Sequence, residues 1–223
     1  MAHNDDSFFR EVNEELRSDQ LKNAWSRYGR IAIGVAVLIV VGTAGWRGFE
    51  YWDNNNSSQS GDRFIAALAL ASEGKNDEAL SALGTIETDG TGAYPILAKM
   101  RAASVQQAKG DAAAAVETYK QVGNDNTAPQ AVRDLAKMRA AFILVDTGSY
   151  DQVAAEAEIL SAQGHVLANS AREALGLSAY KAGNMPQAKQ WFKLIADDAG
   201  APRNVANRAQ IMLDNIAATG KAP

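Results

Sequence analysis

The chain has 223 residues, of which 47% are hydrophobic, and a formal charge of −4 at pH 7. That length holds one domain of ordinary size plus an appendage, and the acidic balance is not that of a nucleic-acid binder. The absence of cysteine excludes disulfides, thiolate zinc sites and a cysteine nucleophile, and two histidines, His3 and His165, exclude a histidine-rich metal site.

Residues 1–30 read as an arm. The stretch "DDSFFREVNEELRSDQLKNAW" predicts an amphipathic helix, with Ser7 as its cap and Phe8, Val12 and Leu16 spaced by four on one side. The simpler reading is a helix lying against lipid headgroups, and the sharper one is a helix that docks on a membrane partner.

Residues 31–52 read as a membrane anchor. Ile31 to Trp46 carry no charge and rise about 24 Å as a helix, short of a bilayer core of about 30 Å. The flanks extend the span: Arg30 and Arg47 can snorkel, and Tyr28, Trp46, Phe49, Tyr51 and Trp52 suit the interfaces. A soluble core helix would show a recurring polar face, which this segment lacks. A cleaved signal peptide fits less well, because Asp5, Asp6, Glu11, Glu14, Glu15 and Asp19 precede the apolar run.

Charge sets the expected orientation. Lys22, Arg27 and Arg30 stand on the amino side, whereas Arg47 on the other side is offset by Glu50 and Asp53. The positive-inside rule puts residues 1–30 in the cytoplasm and the rest outside it, which in a bacterium is the periplasm. A chain without cysteine is compatible with that oxidising compartment. Residues 53–60, "DNNNSSQS", are polar and read as a linker.

From residue 61 to 223 the chain is alanine-rich and helical, and it repeats. The stretches "ASEGKNDEALSAL", "QAKGDAAAAVETY", "VDTGSYDQVAAEA" and "KAGNMPQAKQWF" centre on Gly74, Gly110, Gly148 and Gly183, which are 36, 38 and 35 residues apart. A period of this length marks an array of helix pairs. Each glycine is expected to end a helix in the left-handed conformation that glycine adopts at little cost. Seven before them stand Ala67, Ala103, Ala141 and Gly176; five after, Ala79, Ala115, Val153 and Ala188. Nine after come Leu83, Tyr119, Ala157 and Phe192, and twelve after, Ile86, Val122, Leu160 and Ile195, all on one stripe of the second helix. The expected fold is all-α: helix pairs over 61–87, 94–122, 128–163 and 165–197, with a capping helix over 202–218.

This pattern resembles the tetratricopeptide repeat, although the aromatic residues of its first helix are missing and proline arrives late, at Pro129 and Pro202. The layout as a whole, an arm with "FREVNEELR" and "YGR", one span and a degenerate repeat domain, resembles the YfgM-like family. That resemblance implies a bacterial inner-membrane protein, single-pass, acting as an ancillary subunit of the SecYEG translocon beside a periplasmic prolyl-isomerase-like chaperone. It implies no residue-level site.

Repeat stacks bind partners along the concave surface formed by their first helices. Counting back from each glycine places Phe64, Leu68 and Ala71 there, then Met100, Ser104 and Gln107, then Leu135, Met138, Phe142 and Val145, then Glu173, Leu177 and Tyr180. This surface is largely apolar and suits an extended or helical apolar segment rather than a terminal carboxylate. Periodicity alone does not separate a groove from a core.

No catalytic group emerges. His165 in "AQGHVLANS" reads as a junction residue, and neither "GDAAAA" nor "GTAGW" is a phosphate loop. The repeats bring no nucleophile, base and orienting group near one another, so neither an enzyme nor a cofactor is expected. Two roles remain open: an accessory of protein export, or a scaffold for envelope assembly or cell division independent of the translocon.

Overall fold

The computed structural model describes residue 35 and residues 37–47 and 57–220. They are helical or turn, with no strand among the described residues. The chain divides into two units, residues 1–55 and 56–223.

In the first unit, residues 37–47 are helical. Val37 to Val41 are exposed, and Thr43 returns its hydroxyl to the carbonyls of Ile39 and Val40 at 2.8 and 3.0 Å. A threonine satisfied in this way is tolerated in an apolar helix. Among the described residues no helix is long and apolar enough to cross a membrane. Residues 31–34, 36 and 48–52 of the expected span, the arm, and Lys22, Arg27 and Arg30 lie outside the described residues.

The second unit is a row of helices: α1 over 57–72, α2 Asn76–Asp89, α3 Tyr94–Ala108, α4 Ala112–Asn124, α5 Gln130–Thr147, α6 Tyr150–Ala157, α7 Ala168–Lys181, α8 Met185–Ala196 and α9 Arg203–Ala218. They form four antiparallel pairs and a cap. The second helix of the third pair is shorter than its spacing predicts, since α6 gives way to a 3₁₀ turn over Ile159–Ser161.

Three of the four turns share one geometry. Gly74, Gly110 and Gly183 have φ of 76°, 88° and 79°, and the following N–H reaches back five residues: Lys75 to Leu70 at 3.0 Å, Asp111 to Gln106 at 3.0 Å, Asn184 to Ala179 at 2.9 Å. This is the Schellman closure, in which glycine relieves the Cβ penalty. Gly148 departs from the expectation: its φ is −113° and its backbone extended. Here α6 starts at once on a capping box, Ser149 and Gln152 each bonding the other's backbone N–H. The glycine is needed for space, since a Cβ would lie 2.9 Å from Leu144 Cδ2 and 3.1 Å from its carbonyl oxygen.

Two inter-pair turns are also alike. Asp125 and Asp198 each accept a backbone N–H two residues on, from Thr127 and Gly200, both at 2.9 Å. Ala128 and Ala201 donate back to the aspartate carbonyls, and Pro129 and Pro202 stand at the N-caps of α5 and α9. Proline has no N–H to leave unpaired and its φ suits a helix start. The late prolines are therefore the points where a new inner helix begins.

Packing follows the repeat. Every residue predicted five, nine and twelve after a turn glycine is buried, as are Ala67, Ala103, Ala141 and Gly176. Each stripe closes a separate core between an inner helix, its outer partner and the next inner helix. Leu83 and Ile86 meet Ala98 and Val105; Tyr119 and Val122 meet Ala136 and Ala140. Val153 and Leu160 meet Ala171 and Leu175; Phe192 and Ile195 meet Val205 and Ile216. Small residues on the inner helices let the bulky outer residues sit close. A Cβ on Gly176 would lie 2.9 Å from the Phe192 ring.

Candidate partner-binding surface

Inner helices α1, α3, α5 and α7, followed by α9, form the side of the stack that is concave in repeats of this kind. Toward the amino end its residues are largely committed to packing. Phe64 and Leu68 are half-buried, with the Phe64 ring 6.0 Å from Tyr94 and tilted by 54°. Met100 packs against the second core, and the Ser104 hydroxyl is hydrogen-bonded to that of Tyr119 at 2.7 Å. At the carboxyl end Leu177 and Tyr180 are half-buried against the fourth core.

The third inner helix differs. Met138, left by periodicity between groove and core, is 3% exposed and packed against Ala141, Val153 and Leu175 in the third core, and it also lines the recess beside Phe142. Phe142, one turn on, is 38% exposed and Leu135 43%. Four residues separate Met138 from Phe142, but the next inner helix covers only the first.

Phe142 stands between two recesses. One, of about 630 Å³, is lined by Leu135, Met138, Arg139, Phe142, Asp146 and Thr147 of α5 with Gln107, Leu167 and Ser170 from its neighbours. The other, of about 460 Å³, is lined by Phe142, Glu173, Leu177, Arg208, Ile211 and Met212. Ile211, on the capping helix, is 58% exposed. Its part in this surface was not foreseen from the sequence. A signal was available: α9 buries Val205, Ala209 and Ile216, a stripe that leaves an isoleucine at 211 with no place in the core.

The charges are unevenly used. Arg208 donates to both carboxylate oxygens of the buried Glu173, at 2.5 and 2.7 Å, a bidentate pair that ties α9 to α7. Glu173 is therefore a structural acid rather than a ligand contact. Its hydrogen bond raises the Arg208 pKa further above the ordinary arginine value. Lys181 donates to the carbonyls of Val145 and Asp146 and closes the end of α5. Arg139 is exposed and forms no ion pair among the described residues.

A roomier cleft, of about 700 Å³, lies at the junction of α7, α8 and α9. Its central cation is already engaged. Arg172 is buried and donates to the carbonyls of Ser161 and Leu194 and to Asn169 Oδ1, 3.1 to 3.3 Å away, beside Asp198. The Asn169 side chain and the Gly200 N–H hold the Asp198 carboxyl below the usual carboxylate range. The Thr127 hydroxyl and N–H do the same for Asp125.

His165 likewise serves the frame. Its Nδ1 accepts from the Leu167 N–H at 3.1 Å, and its Nε2 lies 3.2 Å from the buried Asp134, which also accepts from Gln130. These bonds join the loop before α7 to the start of α5. Among the described residues no group of three or more acidic or imidazole side chains is placed to hold a metal ion.

The tetratricopeptide repeat-like domain is the family whose model matches this chain, over residues 22–218. No curated protein and no solved structure matches it. Such repeats are scaffolds for protein partners and typically have no catalytic role. Four helix pairs in one register, turned on glycine and capped by a fifth inner helix, agree with that match, and the chain belongs to the tetratricopeptide repeat-like domain family.

Proposed function

We propose that this protein is a single-pass inner-membrane protein whose repeat domain captures segments of protein partners in the periplasm. Residues 1–30 form the cytoplasmic arm and 31–52 the span; the linker expected over 53–60 is shortened to 53–56, because residues 57–60 are already the first turn of α1, where the repeat domain begins. The observation that carries the binding role is the uncovered apolar row Leu135, Phe142 and Ile211 on the concave side. Leu135 and Phe142 share one recess and Phe142 and Ile211 the other, and this grouping of exposed apolar side chains supports an interaction surface here.

The anchor and its direction rest on the apolar run, its aromatic flanks and the basic residues Lys22, Arg27 and Arg30. The layout resembles the YfgM-like family, and on that ground the partners are the SecYEG translocon and a periplasmic prolyl-isomerase-like chaperone. Two measurements test this. Protease added to spheroplasts should digest the chain beyond residue 61 and spare the arm; protection of the repeat domain contradicts the orientation. Capture of the full chain from mild detergent should bring down translocon subunits. Recovery of division or cell-wall proteins in their place would assign the scaffold role.

A further inference from the structure

Arg139 is an exposed cation at the edge of an apolar recess, one helical turn from the exposed ring of Phe142. The geometry points to an occupant of defined chemistry: an amphipathic helix of a protein partner, with an acidic residue one turn from the apolar residue that covers Phe142. This deepens the binding role proposed above and rests on it.

Charge selects the acid. The two recesses on either side of Phe142 hold four charged side chains, Arg139, Asp146, Glu173 and Arg208. Glu173 and Arg208 satisfy each other. The Lys181 ammonium donates to the backbone carbonyl of Asp146, and the exposed Asp146 carboxylate stands two turns from Arg139 along α5. Arg139 is left as the cation to be matched. It stands where an approaching segment must either neutralise it or bury it unpaired, and the second is strongly unfavourable.

Backbone chemistry selects a helix. The Arg139 recess offers the polar side chains Gln107, Thr147 and Ser170, but the α7–α9 recess offers Phe142, Leu177, Ile211 and Met212 beside an ion pair that is already closed, and no uncharged polar side chain lines it. An extended segment crossing it would bury amides without partners. The walls are helices whose own N–H and C=O groups are paired along their axes, so there is no strand edge to extend. A helix brings its backbone already bonded and presents an acid and an apolar residue three or four positions apart, which matches the spacing from Arg139 to Phe142.

The test uses the full chain in detergent micelles and synthetic helices of about four turns. Each carries paired leucines on one face and Glu, Gln or Lys three positions before the first leucine. Affinity is read by fluorescence anisotropy. The Glu helix should bind tightest and the Lys helix weakest, by roughly two- to fivefold per step, as exposed charge pairs allow. Arg139→Glu should invert the order while leaving the fold intact, since residue 139 lies on the surface. Phe142→Ser and, separately, Leu135→Ser should weaken all three peptides. Equal affinity for Glu and Lys helices, or an order that Arg139→Glu leaves unchanged, overturns the proposal. So does a proline-interrupted peptide that binds as well as the intact one, or self-association of the chain that Phe142→Ser abolishes. If no helix binds but Phe142→Ser still releases the captured partner, this inference fails and the broader binding role stands. If Phe142→Ser releases nothing, the concave surface itself fails.

Discussion

Gly110 and Gly148 end equivalent helices for different physical reasons, and substitution separates them. Gly110 has φ of 88° with nothing near a Cβ, so Gly110→Val is strained by backbone conformation alone. It should lower stability by at least about 1 kcal/mol, read as a fall in melting temperature by circular dichroism. Gly148 has an ordinary φ, yet Gly148→Ala would press on the Leu144 carbonyl and on the Gln152 side chain that completes the capping box. A loss of about 1 kcal/mol is expected there as well. Asparagine, which tolerates the left-handed region, should be the mildest replacement at 110 and should bring no relief at 148. Identical responses at the two sites would refute the distinction.

Met138 and Phe142 divide in the same manner. Met138→Ser empties a core position and should cost about 2–4 kcal/mol of stability. Phe142→Ser should leave the melting temperature within about 1 kcal/mol of the parent in equivalent stability, because the ring is already partly in water. The spacing of turn glycines located both residues on α5, but a helical period does not record how far round the helix the neighbour reaches. That angle is set by how closely α5 and α7 pack, through Ala141, Ala171 and Ala174, which is a tertiary property. Arg139 and Ile211 escaped the sequence reading for a related reason: each matters through its neighbours in space, on helices outside its own repeat.

At the scale of elements, the paired helices were legible because their burial repeats at fixed offsets from glycine. All twelve residues of the outer stripes are buried in the folded chain. The short α6 was not legible, since its capping box and its early 3₁₀ end are local choices superposed on the period. The proline turns before α5 and α9 also have a measurable signature. Their aspartates, Asp125 and Asp198, carry depressed pKa values through hydrogen bonds from Thr127 in one case and from Asn169 and Gly200 in the other. A carboxyl depressed in the folded state stabilises it fully above the ordinary value of 3.8. That contribution is lost as pH falls below this value and through the folded one. The parent chain should therefore lose stability on acidification below about pH 4 more steeply than the Asp125→Asn, Asp198→Asn double variant. Parallel stability curves over that range would show that these turns do not depend on ionised aspartate.

For the whole molecule, the proposed function joins an arm with Lys22, Arg27 and Arg30 at its membrane end, and an apolar span, to a stack whose inner side carries uncovered apolar groups. The proposed span rests on hydropathy and flanking residues, which act through the bilayer and need no tertiary context. The binding surface needed the folded stack. Its central claim is that partners are held on the inner face at α5 and not on the outer helices. The most direct measurement is site-specific photo-crosslinking in intact cells, with the reactive side chain placed at Phe142 in one strain and at Glu117, exposed on the outer helix α4, in another. The account predicts protein adducts from position 142 and none from 117. Adducts from 117 with none from 142 would contradict it.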